Sequence, residues 1–292
     1  MPRISEADNR DSAPTKVHDA PSVAVIIPCH NHAEYVGRAI QSVLEQDYPR
    51  KMLVVVDDGS DDNSMDVVKS YMTDVSQEHT DEHQDRTEVM LGVCNDTPII
   101  ACRYETPKKQ AHARNIAIQL AWQHAELFCQ LDADDLYLPL KLTKSVEAWQ
   151  SDPQFIGLVY SDALIYDERD DTIVHEFRPP YDRQLLEQLN IISHAPLMSK
   201  MPLGYTGLYD VDLPPCEDCD LWLRITENFL AVHIPEPLQQ YTVTGQNCTF
   251  TVSNEKWAQQ WQRVQEKLQL RKQMRYGQSA TSYSTGETAA PQ

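Results

Sequence analysis

Residues 23–31 read VAVIIPCHN, and this stretch decides the fold class. Its first five residues are apolar without alternation, which is typical of a strand buried on both faces of a parallel sheet. Pro28 has no backbone N–H and ends the apolar run. A helical pattern follows at 33–46, so the segment predicts the first β-α unit of an α/β protein.

A second β-α unit comes directly after the first. Residues 52–56 predict a short apolar strand that ends in the acidic turn DDGSDDNS at 57–64. Asp62 or Ser64 can cap a helix at 65–72. Two such units in a row predict right-handed crossovers and a mostly parallel central sheet flanked by helices. The carboxyl ends of both strands then lie at one edge of the sheet.

Residues 130–135 read QLDADD and place three carboxylates behind an apolar, strand-like approach. This charge favours a bound divalent cation, because Mg²⁺ and Mn²⁺ are held by carboxylates together with substrate phosphates. Ligands of open α/β sheets also bind at this edge. The pattern predicts a metal-assisted site for a nucleoside diphosphate. The alternative is an acidic turn in which Asp135 caps the next helix.

Composition limits the classes of protein that need to be considered. With 292 residues, 41% of them hydrophobic, the chain can form a sizeable core, and no apolar run is long enough for a membrane span. The formal charge of −19 disfavours a nucleic-acid partner. Seven cysteines without an apolar N-terminal segment fit a reducing compartment. We therefore expect a cytoplasmic protein in which residues 1–20 and 276–292 are disordered.

Two further segments allow alternative interpretations. Residues 74–88 are acidic and predict a surface loop, with a metal site at His79 and His83 as the alternative. Residues 254–275 predict a C-terminal amphipathic helix with an apolar stripe and six basic residues against two acidic ones. This helix either packs on the domain or makes a peripheral contact with the inner face of a membrane.

Five segments in this order resemble glycosyltransferase family 2: VAVIIPCHNHAEYVGRAIQSVLEQDYP, LVVVDDGSDDNS, ARNIAIQLA, LDADDLYLPLKL and EDCDLWLRI. They cover about residues 22–245. The resemblance implies a Rossmann-like GT-A domain at 21–250, with a nucleotide-binding half at 21–140 and an acceptor half at 141–250. It also implies an inverting transferase that moves a sugar from a nucleoside-diphosphate sugar, with UDP as the expected nucleotide, to a hydroxyl of a glycan or lipid-linked glycan.

The resemblance also implies roles for residues of the donor site. Asp134 would bind Mn²⁺ or Mg²⁺, and Asp58 would accept a hydrogen bond from a uracil N–H, unless it only caps its turn. Lys109 stands where the family commonly has glycine; before a helix N-terminus, its charge predicts a contact with the diphosphate, and a solvated basic turn is the alternative. The other expected nucleotide-binding residues are Pro28, Cys29, Asn31, Glu34 and Asp132.

On the acceptor side, Asp218 matches the family's catalytic base, and Glu217 would orient the acceptor. Asp218 could instead cap a helix at 219–228. Cys216 and Cys219 frame these acids as C-x-x-C, a spacing that also occurs in redox and zinc sites. The alternative functions are a sugar nucleotidyltransferase and a catalytically silent nucleotide-sugar-binding protein of the same fold.

Overall fold

The structure is a computed structural model that describes residues 20–79 and 87–282. Its strands are β1 (Val23–Cys29), β2 (Lys51–Asp58), β3 (Thr73–His79), β4 (Thr87–Cys94), β5 (Thr97–Tyr104), β6 (Leu127–Gln130), β7 (Leu136–Tyr137), β8 (Ile156–Asp167), β9 (Thr172–Glu176), β10 (Leu197–Ser199) and β11 (Leu230–Val243). Its helices are α1 (Val36–Leu44), α2 (Ser64–Ser70), α3 (Gln110–Ala121), α4 (Lys141–Gln150), α5 (Arg183–Leu186), α6 (Lys200–Thr206), α7 (Glu217–Ile225), α8 (Cys248–Thr251) and α9 (Asn254–Ser282).

The strands form one sheet in the order β3-β4-β5-β2-β1-β6-β10-β8-β11-β7, and β9 pairs with β8. Strands β5, β2, β1 and β6 are parallel, as the two predicted β-α units require. Strand β10 is antiparallel to both of its neighbours, β6 and β8. The carboxyl ends of the four parallel strands therefore lie along one edge, and the acceptor half continues the sheet with mixed strand directions.

The two buried faces of β1 explain why its sequence does not alternate. Ala24 and Ile26 belong to the core on the side of α3, whereas Val23, Val25 and Ile27 belong to the core on the side of α1. Each side chain of the strand is therefore removed from water, and burial of an aliphatic side chain contributes about 1.5–3 kcal/mol.

The predicted surface loop is wrong at 74–79 and at 87–88, where strands β3 and β4 pair antiparallel and extend the sheet beyond β5. Strand β3 is the outermost strand and its residues 73–76 are exposed, so its sequence reads as polar, whereas Val89 and Met90 of β4 are buried. The alternative histidine site is not described, because His83 lies within residues 80–86, outside the described part of the chain.

Helix α9 packs on the domain through its apolar stripe. Trp257 and Trp261 contact the core, and Val264 and Leu268 are buried in it. Four of the six basic side chains at 254–275 pair with acids of the acceptor half, and these pairs are Lys267–Asp210, Arg271–Asp220, Arg271–Glu227, Lys272–Glu187 and Arg275–Glu227. Most of the positive charge that suggested a membrane contact therefore has an intramolecular explanation.

The helix also continues to Ser282, so the first seven residues of the predicted disordered tail are helical instead. The rest of that tail, and residues 1–19 of the predicted leader, lie outside the described residues. Among the helices that the structure describes, none is both long enough and apolar enough to cross a membrane.

Candidate active site

The turn after β2 is held against the loop after β1. The backbone N–H of Asn31 donates to Ser60 Oγ over 2.9 Å, and the side-chain Oδ1 of Asn31 accepts from Asp61 N over 2.8 Å. Asp57 supports the same turn by accepting a hydrogen bond from Ser60 N over 3.2 Å. Gly59 has a φ of +71°, and a Cβ there would lie 2.9 Å from Cδ of Pro107. The turn therefore needs glycine both for its backbone conformation and for its contact with the loop before α3.

Asp58 organises the start of α3. Its Oδ1 accepts from the N–H of Lys108 over 2.7 Å, and its Oδ2 accepts from the N–H of Lys109 over 2.6 Å. A carboxylate has about four lone-pair positions, so these two bonds leave acceptor capacity on both oxygens. Asp58 is only 4% exposed, however, and both of its carboxylate oxygens hold the loop before α3, so the residue has a structural role. The contact with a uracil stays a prediction.

The other residues expected at the nucleotide differ in exposure. Pro28 and Cys29 are buried in β1, so their side chains belong to the core. Burial raises the pKa of the Cys29 thiol to about 12, which keeps it neutral. Glu34 is exposed and lines an open depression together with Asn31 and Tyr35. The nucleotide contacts of these residues stay predictions.

Lys109 has a backbone conformation that usually requires glycine. Its φ of 79° and ψ of 162° lie in a region that residues with a Cβ rarely enter, at a cost of about 1–3 kcal/mol. A glycine, which the resemblance implies is common at this position, would adopt this conformation without strain. The side chain of Lys109 is exposed at the N-terminus of α3, where the helix dipole favours an anion.

We expect Lys109→Gly to raise the free energy of unfolding by about 1–2 kcal/mol, because relief of the strain exceeds the added freedom of the unfolded chain. Denaturant titration measures this change. Lys109→Ala is the matched control, since it removes the same amine but keeps a Cβ in the strained conformation. A loss of stability in the glycine variant would contradict the strain. If the amine also contacts the diphosphate, both variants should bind UDP more weakly and by similar factors.

Arg114 joins the acidic motif after β6 to the start of α7. Its two terminal nitrogens donate to Asp132 Oδ1 over 2.7 Å and to Glu217 Oε1 over 3.0 Å. The guanidinium also lies over the ring of Tyr209, with 5.5 Å between Cζ and the ring centroid. Asp132 accepts a further bond from Gln110 over 2.9 Å. The first aspartate of the motif is thus neutralised within the protein.

The other two aspartates of the motif have separate environments. Asp135 is buried, and its Oδ1 accepts from the N–H of Thr242 over 2.9 Å. The prediction that it caps the next helix is wrong, because Leu140 precedes α4 and provides no side-chain cap. Burial raises the pKa of Asp135 well above its usual value.

Asp134 accepts from Asn247 Nδ2 over 3.1 Å, and its Oδ2 lies 3.7 Å from Nε2 of His32.

The chemistry of Asp134 fits a divalent cation. Of the three aspartates, Asp132 is paired with Arg114 and Asp135 is buried under a backbone amide, whereas Asp134 faces the amide of Asn247 and the imidazole of His32. Within residues 20–79 and 87–282, no three His, Cys, Asp or Glu side chains lie close enough to hold a metal alone. A cation at Asp134 would therefore take its remaining ligands from phosphate oxygens and water, as is usual for Mg²⁺ and related ions.

Glu217 and Asp218 lie at the first turn of α7. Glu217 is 3% exposed and Arg114 binds its Oε1, while its Oε2 is buried without a hydrogen-bond partner among the described residues. Burial raises the pKa of Glu217, and Arg114 opposes this increase. Asp218 is half-buried, and its Oδ2 accepts from Asn190 Nδ2 over 3.1 Å. The Asp218 carboxylate therefore has a fixed orientation and stays accessible.

The alternative interpretation of Asp218 as a helix cap is supported in part. Cys216, not Asp218, occupies the position before the first residue of α7, but Asp218 Oδ1 accepts from the backbone N–H of Cys219 over 2.7 Å. Cys216 and Cys219 are free thiols buried in the domain, and burial raises the pKa of Cys216 to about 12. Neutral buried thiols are poor nucleophiles and poor metal ligands.

Four residues of the site were not found from the sequence. They are His32, Gln110, Asn190 and Asn247, which contact the acidic side chains described above. Each belongs to a loop or a helix start and reaches its partner only through the fold. Asn247 lies just beyond the last strand, and no motif of the sequence marks it.

A family model confirms the fold and family resemblance. The model described as Glycosyl transferase family 2 matches residues 24–198. An uncharacterized glycosyltransferase of Rickettsia typhi is 26% identical over 70% of this chain and 58% of its own length. The UDP-Glc:alpha-D-GlcNAc-diphosphoundecaprenol beta-1,3-glucosyltransferase WfaP of Escherichia coli is 24% identical over 70% of this chain and 69% of its own length.

Solved structures have a similar fold. S. aureus TarS 1–349 in complex with UDP-GlcNAc matches with a TM-score of 0.60 and 16% identity, over 80% of this chain and 61% of that one. The mannosyltransferase PcManGT of Pyrobaculum calidifontis, in complex with GDP-Man and Mn²⁺, matches with a TM-score of 0.57 and 22% identity, over 81% of this chain and 61% of that one. The chain thus spans about three fifths of the length of several of the proteins that it matches.

Proposed function

The chain belongs to glycosyltransferase family 2, and on that premise we propose that it transfers a sugar from a UDP-linked donor to a glycan or lipid-linked glycan with inversion at the anomeric carbon. Its GT-A fold and its assignment as a glycosyltransferase follow from the family. The proposal adds the donor, the acceptor, the metal and the mechanism.

One observation carries the proposal. Arg114 binds Asp132 and Glu217 at the same time, so the acidic motif of the nucleotide half and the first turn of α7 lie on either side of one guanidinium. A donor diphosphate at Asp134 and an acceptor at Asp218 would therefore lie next to each other, as a direct transfer between them requires.

We assign separate roles to the residues around this point. Asp218 would accept the proton of the acceptor hydroxyl as its oxygen attacks the anomeric carbon, and Asn190 would hold the carboxylate in place. Glu217 was expected to orient the acceptor, but its carboxylate is buried against Arg114, so we assign it to holding Arg114 and the first turn of α7 in place. Lys109 would bind the departing diphosphate. Mn²⁺ or Mg²⁺, held by Asp134 and the donor phosphates, would supply Lewis-acid stabilisation of the leaving group.

The uridine donor and the glycan acceptor rest on the relatives. WfaP is named for transfer from UDP-glucose to a diphosphoundecaprenol-linked sugar, and TarS is bound to UDP-GlcNAc. PcManGT is bound to GDP-Man and Mn²⁺, which supports a divalent metal and makes GDP the competing nucleotide. The sugar nucleotidyltransferase alternative is set aside because the chain belongs to the transferase family. A catalytically silent protein is the remaining alternative, and a transfer assay distinguishes it.

We expect Asp134→Ala to abolish the effect of Mn²⁺ on UDP binding while the protein stays folded. The reason is that Asp134 would be the protein's anionic ligand for a cation that stabilises the bound diphosphate. Isothermal titration with UDP and GDP, each with Mn²⁺ and with a chelator, measures this effect. The wild-type protein should bind UDP more tightly than GDP, and Mn²⁺ should tighten the binding of UDP.

Asp152→Ala is the matched control. Asp152 lies between α4 and β8, at the amino end of that strand, and therefore away from the edge of the sheet that holds the site. This variant should keep the response to Mn²⁺. An unchanged response in Asp134→Ala would refute the metal assignment, and GDP binding tenfold tighter than UDP binding would refute the uridine donor.

A further inference from the structure

His32 lies in the loop after β1, and both its backbone N–H and its backbone C=O make hydrogen bonds. Its N–H donates to Ser64 Oγ over 2.9 Å, and its C=O accepts from the N–H groups of Tyr35 and Val36 over 3.0 and 2.9 Å. The imidazole also packs edge-to-face on the ring of Tyr35, with 6.0 Å between the centroids. The side chain is therefore held in one place at the edge of the site.

A backbone carbonyl fixes which ring nitrogen of His32 carries the proton. Nδ1 lies 2.6 Å from the carbonyl oxygen of His30, and a carbonyl can only accept, so Nδ1–H is the donor. In the neutral ring the lone pair is then on Nε2. Metal-binding histidines are commonly oriented in this way, by a hydrogen bond from the nitrogen that does not bind the ion.

Nε2 of His32 faces Asp134. The 3.7 Å between Nε2 and Oδ2 is too long for a hydrogen bond. Two neighbouring ligands of one octahedral ion at about 2.1 Å stand about 3 Å apart, so a closure of roughly 0.7 Å would let both atoms bind the same cation.

Asn247 orients Asp134 but cannot itself be the second ligand of a cation. Its Oδ1 accepts from Thr244 N over 2.9 Å, and its Nδ2 donates to Thr242 O over 2.9 Å and to Asp134 Oδ2 over 3.1 Å. These bonds fix the amide with its NH₂ group toward the carboxylate, and an NH₂ group cannot bind a cation. Of the two side chains that contact Asp134, Asn247 and His32, the imidazole is thus the one with a lone pair to offer.

We propose that His32 is the second protein ligand of the divalent cation at Asp134. This inference rests on the proposed metal-dependent donor site and adds a nitrogen ligand to it. The nitrogen has a chemical consequence, because Mn²⁺, although it is bound mainly by oxygen ligands, belongs to the first-row series and accepts imidazole more readily than the harder Mg²⁺. His32 therefore biases the site toward Mn²⁺ over Mg²⁺.

Electron spin echo envelope modulation of Mn²⁺ in the complex of the full chain with UDP tests this inference directly. The wild-type complex should show the ¹⁴N modulation of a coordinated imidazole, and His32→Gln should lack it. Titration in the presence of UDP should show Mn²⁺ affinity reduced at least about tenfold in His32→Gln, which is the lower end of the loss seen when even an indirect partner of a metal ligand is removed. Mg²⁺ affinity should fall by a smaller factor.

His30→Gln is the matched control, because His30 is two residues away and its backbone carbonyl, which orients His32, is unchanged by the substitution. It should keep both the modulation and the Mn²⁺ affinity. A wild-type Mn²⁺–UDP complex without imidazole modulation, or the same modulation in His32→Gln, overturns the role of His32 and leaves the proposed function standing. A wild-type protein that binds no Mn²⁺ with UDP overturns the proposed metal site itself.

If the His32 imidazole bound the UDP phosphate directly instead of the cation, these measurements would give a different result. In that case His32→Gln would weaken UDP binding equally with Mn²⁺ and with a chelator, and no ¹⁴N coupling would be seen. This outcome also overturns the inference. Thermal unfolding of both glutamine variants shows whether a lost signal reflects lost structure.

Discussion

Asp218→Asn is expected to transfer sugar about 10²–10⁴-fold more slowly than the wild-type protein, which is the usual contribution of a positioned general base. The substitution keeps the shape of the side chain and removes its basicity. Asp218 accepts from Asn190 Nδ2 over 3.1 Å and from Cys219 N over 2.7 Å, and the single oxygen of asparagine can keep one of these two bonds. Initial rates with a UDP-sugar and an acceptor glycan measure the loss.

Donor binding separates this effect from damage to the fold. Asp218 is placed on the acceptor side, so UDP affinity in Mn²⁺ should stay within a factor of about two, well below the tenfold change that 1.4 kcal/mol would give. Asp152→Asn, at the opposite edge of the sheet, should have wild-type rates. Near-normal transfer by Asp218→Asn, or a product that retains the donor's anomeric configuration by NMR, would rule out the single displacement with Asp218 as base.

The largest effect on stability is expected for Arg114→Met, with a loss of about 3–5 kcal/mol in the free energy of unfolding. Methionine keeps most of the apolar stem but leaves Glu217 buried and Asp132 partly buried without their cation. Denaturant titration measures the loss. Arg38→Met is the control, because Arg38 and Glu168 form an exposed pair and such pairs contribute about 0–1 kcal/mol.

The loss in the free energy of unfolding of Arg114→Met should depend on pH in a defined direction. Burial already raises the pKa of Glu217, and removal of Arg114 raises it further. A carboxyl whose pKa is higher in the folded state than in the unfolded state loses stability as pH rises from the unfolded toward the folded pKa. The deficit should therefore be larger at about pH 8 than at about pH 5. Arg114→Met/Glu217→Gln should recover part of it at the higher pH, and equal deficits at both pH values would contradict an electrostatic origin.

The sequence was sufficient for features that depend on local pattern. The unalternating strands β1 and β2, the helix after each, and the acidic motif after β6 follow from periodicity, chain order and the glycine-containing turn. Arg114 belongs to ARNIAIQLA, one of the five segments that carry the family resemblance. Helix and strand ends differ by a few residues, as for α1, which begins at Val36 rather than at residue 33.

The remaining features depend on long-range contacts that no local pattern encodes. Strand β3 reads as polar because it is the outermost strand of the sheet and its residues 73–76 are exposed, and α9 reads as basic because its acidic partners lie up to 85 residues away in the chain. The contacts of His32 and Asn247 with Asp134 connect residues 102 and 113 positions apart, respectively. At Lys109 the sequence indicated an unusual position, because lysine stands where the family commonly has glycine, and the structure gives the residue a positive φ.

The bridge made by Arg114 also bears on how such enzymes can evolve by recombination. Arg114 and its neighbour Asn115 come from the first half of the chain, and their partners Glu217 and Tyr209 come from the second. A crossover between two parental genes anywhere from residue 116 to residue 208 would take the cation from one parent and its buried counter-charge from the other. Chimeras that exchange acceptor halves should therefore fold only when both parents keep this set of residues, which restricts how acceptor specificity can be exchanged as a unit.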